Sequence, residues 1–231
     1  MADQAAEDLD ELIRRVDPDR WLTSRFIAGP AARADVVALY AYDHELARAR
    51  RAASTPLLAE IRLTWWREAL DEIFAGGPVR RHPVAEALAA AVRRHDLPRA
   101  PLEAMIDGQL GALEALTLDA AAALAWADAV EGSLARLVAK ALDPTAEPGA
   151  IAAGGRAWGL ALLIRSGAVA RDMVAAPLRE ALRAASAGRL SVAALPAALP
   201  ARLARFDLAD RSPGALAKQL SLVLAVAWGR V

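Results

Sequence analysis

The chain has 231 residues, with 28 basic side chains against 28 acidic ones, so no net charge pulls it toward nucleic acid and any basic surface must be local. There is no cysteine, which excludes disulfides, thiolate metal sites and a cysteine nucleophile. Hydrophobic residues make up 56% of the chain but aromatics only 5%, so the apolar mass is mostly Ala, Leu and Val, and a mainly helical protein follows.

Proline and glycine punctuate the chain into helical segments. Asp8 to Val16 reads as a short amphipathic start, and Asp17 to Arg20 and Ala28 to Pro30 as turns. A helix is predicted from about Ala31 to Ala52, broken by Ser54 to Pro56, with Ser54 as the candidate cap of the next. That next helix spans about Pro56 to Phe74 and ends at AGGP. Pro83 opens a helix to about Arg94, and Pro101 one to about Leu116. Asp119 caps a long helix to about Leu142, and a further one spans about Ala150 to Val174. Pro177, Pro196, Pro200 and Pro213 then cut the tail into short helices, the last from about Pro213 to Trp228. No stretch alternates with period two, so no strand is expected.

The start MADQAAEDLDELIRR is acidic and lacks the basic residues and apolar core of a secretion signal. The longest strongly apolar run, Leu220 to Gly229, falls short of the roughly 20 residues a bilayer span needs. A soluble cytoplasmic protein is expected, with contact to a membrane from outside left open.

On the first long helix Val36, Leu39, Tyr40, Asp43, Ala47 and Arg50 share one stripe, apolar at its start and polar at its end, which puts Asp43 near a rim. Glu45 is placed to reach Arg48. Arg48, Arg50 and Arg51 read either as a solvated helix end, favoured by the dipole, or as an anion site. On the tryptophan helix Ile61, Trp65, Ala69 and Ile73 make one face, extended by Trp66, Leu70 and Phe74, and Arg67 is spaced to pair with Asp71. Glu68, Asp71 and Glu72 have the spacing of a cation site, but Arg62 and Arg67 favour a surface ion network. Glu103 and Asp107 read as acidic bias at a helix start rather than metal ligands, and His44, His82 and His95 form no local zinc-type pair. No GxGxxG, phosphate-loop lysine or GxSxG motif occurs. Gly132, Gly155 and Gly159 lie inside predicted helices, where glycine costs about 1 kcal/mol relative to alanine. They mark close approach of another helix, with or without an apolar slot beside it.

The stretches RFIAGPAARADVVALYAYDHEL and PLLAEIRLTWWREALDEI, with WADAVEGSLARLVAKAL and GRAWGLALLIR further on, resemble the squalene/phytoene synthase family. The resemblance is carried by Arg25-Phe26, Arg33, the run from Ala38 to Tyr42, and Trp66-Arg67; it covers roughly residues 17 to 166 and is weakest over 167–231. It implies one all-α domain over 1–231, a helical bundle around a central apolar cavity, and an ancestral activity that joins two prenyl diphosphates head to head with magnesium. The departures bear on activity. Where the family's first aspartate-rich motif is expected the chain has Ala47, Arg48 and Arg51; at the second, Arg165 is followed by Ser166 and the next acid position is Ala170, with Asp172 off register. The wording of YDHELARAR, RLTWWREALDEIF and HPVAEALAAAVRRHDLP is similar to a synthase-like branch of the family linked to assembly of respiratory complex I.

The resemblance therefore implies a catalytically degenerate member, an assembly or interaction factor with a complex I subunit or intermediate as partner and a lipid or isoprenoid as possible ligand. Tyr40, Asp43, Trp65, Trp66, Gly132, Gly155, Gly159 and Arg165 are its candidate lining residues, with no catalytic residue, metal or cofactor assigned. The alternative is an active magnesium-dependent prenyl transferase, for which Asp43, Glu45 and Asp172 are the nearby acids. A third reading is binding of isoprenoid diphosphates through the arginines without turnover.

Overall fold

A computed structural model describes residues 2–231 apart from 114 and 116, with side chains from residue 8 onward. Among the described residues the secondary structure is helical, with no strand. The chain divides into two compact units, Met1–Glu114 and Ala115–Val231.

The first unit holds α1 (Ala2–Val16), α2 (Pro18–Ser24), α3 (Pro30–Arg51), α4 (Pro56–Ala75), α5 (Pro83–His95) and α6 (Arg99–Gly111). Proline stands in the first turn of α2, α3, α4 and α5, where its missing N–H costs nothing and its fixed φ suits the helix. The expected turn at Asp17 to Arg20 is instead the start of α2: Asp17 accepts a hydrogen bond from the Arg20 N–H at 3.0 Å and so caps the helix that Pro18 opens. The cap of α4 is Thr55, not Ser54, with its Oγ1 accepting from the Leu58 N–H at 3.3 Å. The helix α6 starts two residues before Pro101 and ends at Gly111; Leu116, its expected end, lies outside the described residues. Every residue from 35 to 43 of α3 is buried, because α1, α4, α5 and α6 all pack on that stretch. Leu39, Leu46, Leu63, Leu70, Leu88, Met105 and Ile106 are among the fully buried side chains around it.

The second unit contains α7 (Ala120–Ala127), a π-helical turn (Asp128–Gly132), α8 (Ser133–Leu142), α9 (Pro148–Arg165), α10 (Arg171–Ala187), α11 (Leu195–Ala198), α12 (Pro200–Leu208) and α13 (Ala215–Trp228). Asp119 caps α7 as expected, through the Ala122 N–H at 2.7 Å. The helix predicted to run to Leu142 does so, with the π turn set into it as a bulge. The helix predicted to reach Val174 stops at Arg165: Gly167 takes φ +72, a left-handed conformation that favours glycine, and the Ala168 N–H returns to the Leu163 carbonyl at 3.0 Å. Pro177 does not cut the tail but lies inside α10. Its missing hydrogen bond is outweighed by burial of Val174, Leu178, Ala181, Leu182 and Ala185 on the side of α10 that packs against α9.

Candidate functional site

The acids of α3 are each engaged by a cation. Asp35, buried, takes Arg94 at 2.6 Å and His95 at 2.8 Å from the end of α5. Asp43 takes the guanidinium of Arg20 at 2.7 Å, and both side chains are less than a tenth exposed. Arg20 also lies 3.3 Å from Asp17 and over the Tyr40 ring, 5.4 Å from its centroid. Asp43 is thus buried within the first unit rather than at a rim, because Arg20 of α2 covers it. Its second oxygen, Oδ1, is buried without a hydrogen-bond partner. Glu45 pairs with Arg48 at 2.8 Å, as its spacing predicts.

The three arginines at the end of α3 do not converge. Arg48 is mostly exposed and committed to Glu45; Arg51 is exposed. Arg50 is half-buried and donates to the Ala112 carbonyl at 3.3 Å. Burial, and then the charge of Arg51, lowers the Arg50 pKa. Burial likewise lowers His44. The neighbouring charges of Arg50 and Arg51 disfavour a divalent cation at that end of α3.

Below it the aromatic side chains interlock. Trp66 is buried and meets the Tyr42 ring edge-on at 5.3 Å, Trp65 at 5.0 Å and the His82 ring at 5.2 Å. The Tyr42 hydroxyl donates to the Leu102 carbonyl at 3.0 Å, and burial raises its pKa well above the ordinary tyrosine value. Trp65 is half-buried, with the Arg80 guanidinium 4.6 Å from its ring centroid. Ile61, placed on the same face by spacing, is exposed; the inward face of α4 is Leu63, Trp66, Ala69, Leu70 and Ile73.

The acidic run of α4 is bound by arginines distant in sequence. Arg80 holds Glu72 at 2.7 Å and Glu68 at 3.4 Å, and its hydrogen bonds lower the Glu72 pKa. Arg67 pairs with Asp107 at 2.7 Å rather than with Asp71, and Asp71 pairs with Arg99, which also binds Glu103 at 2.8 Å. The third dimension decides this choice, since α6 packs beside α4 and brings its own charges within reach. Among the described residues no three His, Asp or Glu stand together as a metal site.

In the second unit the glycines are contact points between helices. A Cβ on Gly155 would stand 2.4 Å from the Glu131 carbonyl oxygen, and one on Gly159 would stand 2.9 Å from Ala127 Cβ and 3.0 Å from Glu131 Cγ. The nearest atoms to a Cβ on Gly132 are Arg136 Nη1 at 3.5 Å and the Ala127 carbonyl oxygen at 3.6 Å. So α9 packs backbone to backbone on the π turn, and Arg156 clamps the same turn with two bonds to Asp128, at 2.6 and 2.8 Å. Arg165 ends α9 with two bonds to Asp207, at 2.6 and 2.8 Å, and stacks 4.6 Å from the Trp158 ring centroid. It lines a cleft of about 240 Å³ with Phe206, Asp207, Arg211, Ser212, Pro213 and Lys218.

Of the candidate residues, the fold places Tyr40, Asp43 and Trp66 in the first unit's interior, and Trp65 half-buried beside Arg80. Gly132, Gly155 and Gly159 lie at or against the π turn, and Arg165 lies at the end of α9. Sequence reasoning missed Arg20, Arg80 and Asp207 as partners. The Asp17-Pro18 pair signalled the helix that carries Arg20; no local pattern signals the other two.

Three comparisons bear on descent. The squalene/phytoene synthase family model matches residues 13–218. Complex I assembly factor 6 of Bos taurus is 33% identical over 97 residues, and that of Homo sapiens 31% over the same length. These matches span 42% of this chain but only 28% of those relatives. A dehydrosqualene synthase crystal structure superposes with a TM-score of 0.81 at 13% identity, covering 98% of this chain and 96% of that one. Squalene synthase HpnC from Alicyclobacillus acidocaldarius gives 0.59 at 17% identity, covering 99% and 95%. With the family model spanning both units and the all-α architecture shared across the whole length, the chain belongs to the squalene/phytoene synthase family.

Proposed function

We propose that this chain is a catalytically degenerate member of its family that serves as an assembly or interaction factor for respiratory complex I. The observation that carries the first half is the engagement of the α3 acids. Asp35, Asp43 and Glu45 are bonded to Arg94 and His95, Arg20, and Arg48 respectively, and the helix closes on arginines. An allylic diphosphate carries about three negative charges, and breaking its carbon–oxygen bond needs divalent cations as Lewis acids. Magnesium takes carboxylate oxygens. Carboxylates neutralised by guanidinium groups do not fit that ion, and the adjoining arginines repel it. The transferase alternative would need Asp43 and Glu45 released from their arginines, together with Asp172, which is exposed in the first turn of α10.

The second half is supported by the likeness to the complex I assembly factors, a stretch of 97 residues. A complex I subunit or intermediate would be the partner, and a lipid or isoprenoid a candidate ligand. Among the described residues no helix is long and apolar enough to cross a membrane. Deleting the gene and assaying NADH–quinone activity in isolated membranes tests the assembly role. Loss of most of that activity, restored by the gene in trans, is expected; unchanged activity would contradict the role.

A further inference from the structure

The last helix leaves an apolar face uncovered. In α13, Leu216, Leu220, Val223, Leu224 and Trp228 are all exposed, Leu216 by 75% and Trp228 by 69%. At about 100° per residue the first four fall within an arc of roughly 100°, and Trp228 borders it. The opposite side packs on α12: Leu222 and Ala225 are buried, and Arg202 Nε donates to Ser221 Oγ at 3.0 Å. Beyond the helix the chain is tied down again, where the Val231 carbonyl accepts from Ser186 Oγ at 2.7 Å and Arg205 Nη2 at 2.9 Å. The apolar face is therefore held outward by contacts at its back and beyond its end.

Charge distinguishes the occupants. From Arg211 to Val231 the chain has three basic residues, Arg211, Lys218 and Arg230, and no acidic one, although the whole chain is neutral. Arg211 and Arg230 are exposed and flank the helix on either side. The nearest acids before it, Asp207 and Asp210, are bonded to Arg165 and Arg171. A face of leucine and valine bordered by tryptophan, with basic flanks and no acid, is complementary to the interface of an anionic bilayer. A second copy fits less well. The helix is about 21 Å long, and one such face offers well under the ~800 Å² per partner of a stable dimer.

We propose that α13 lies flat on an anionic lipid surface, its apolar face in the headgroup–acyl boundary and Arg211 and Arg230 on phosphates. The surface is distinct from the α3 residues and holds whether or not the chain acts in complex I assembly. Co-sedimentation of the full chain with vesicles of phosphatidylcholine containing about a third phosphatidylglycerol tests it. The wild type should bind these vesicles, bind pure phosphatidylcholine much less, and be released by salt. Leu220→Glu with Leu224→Glu should weaken binding about tenfold or more. Arg211→Gln with Arg230→Gln, which leaves the apolar face intact, should weaken it about tenfold on anionic vesicles only. Far-UV circular dichroism confirms folding of each variant. No wild-type binding, or binding indifferent to both pairs, would overturn the proposal. So would a dimer by light scattering that the double glutamate dissolves while vesicles go unbound, which assigns the face to a second copy.

Discussion

Gly155→Ala is expected to destabilise the protein by about 2–3 kcal/mol, the upper part of the range for an overpacked core. The added Cβ would stand 2.4 Å from the Glu131 carbonyl oxygen, 2.8 Å from its carbonyl carbon and 2.8 Å from Gly132 Cα. All three are backbone atoms, so relief requires α9 to move off the π turn, not a side chain to rotate. The helix-propensity gain of alanine over glycine, about 1 kcal/mol, opposes this but is smaller than the clash. Gly149 in the same helix is the internal control: nothing lies within 4 Å of its Cβ position, so Gly149→Ala should be neutral or stabilising by up to about 1 kcal/mol. Urea unfolding should show a lowered midpoint for Gly155→Ala and an unchanged or raised one for Gly149→Ala. A neutral Gly155→Ala would mean that α9 and the π turn do not meet as described.

Breaking the Arg20–Asp43 pair should cost about as much or more. With one partner gone the other is left charged in a site nearly closed to water, and loss of a partner in such pairs typically costs about 3–5 kcal/mol. Arg20 retains Asp17 at 3.3 Å, so Asp43→Ala belongs at the lower end of that range. Asp43 has no such second partner for either oxygen, so Arg20→Met belongs at the upper end. Replacing both with apolar residues, Arg20→Met with Asp43→Leu, removes both charges and should cost at least about 2 kcal/mol less than the sum of the single changes. Additive losses below about 1 kcal/mol each, typical of a solvent-exposed pair, would contradict the buried arrangement. The cycle also bears on function, since it measures how firmly Asp43 is held away from a metal ion.

The parts of this fold legible in the sequence are those set by local chemistry. Pro56 and Pro83 open helices where they stand, Asp119 caps α7, and Glu45 finds Arg48 one turn on. Gly155 and Gly159 announced close approach by their mid-helix cost, and Glu131 and Ala127 are what approaches. What escaped depends on chain segments remote in sequence. Arg67 chose Asp107 over Asp71 because α6 lies alongside α4. The π turn at Asp128–Gly132 has no periodicity signal of its own and is held by Arg156 of α9 and the glycines facing it. The exposed row on α13 was visible as a hydrophobic run, but only the contacts at its back show which side is left uncovered. For the α3 acids, composition showed arginines nearby; that Arg20 and Arg94 are the ones that reach Asp43 and Asp35 required the fold.

The most direct measurement of the central claim is pyrophosphate release. Purified chain is incubated with farnesyl or geranylgeranyl diphosphate and Mg²⁺, and phosphate is followed through a coupled pyrophosphatase. With its α3 carboxylates bound to arginines, the protein should release none above a protein-free control. Multiple turnovers that EDTA abolishes would show that these acids, or others, still hold the metal ions, and would contradict the reading.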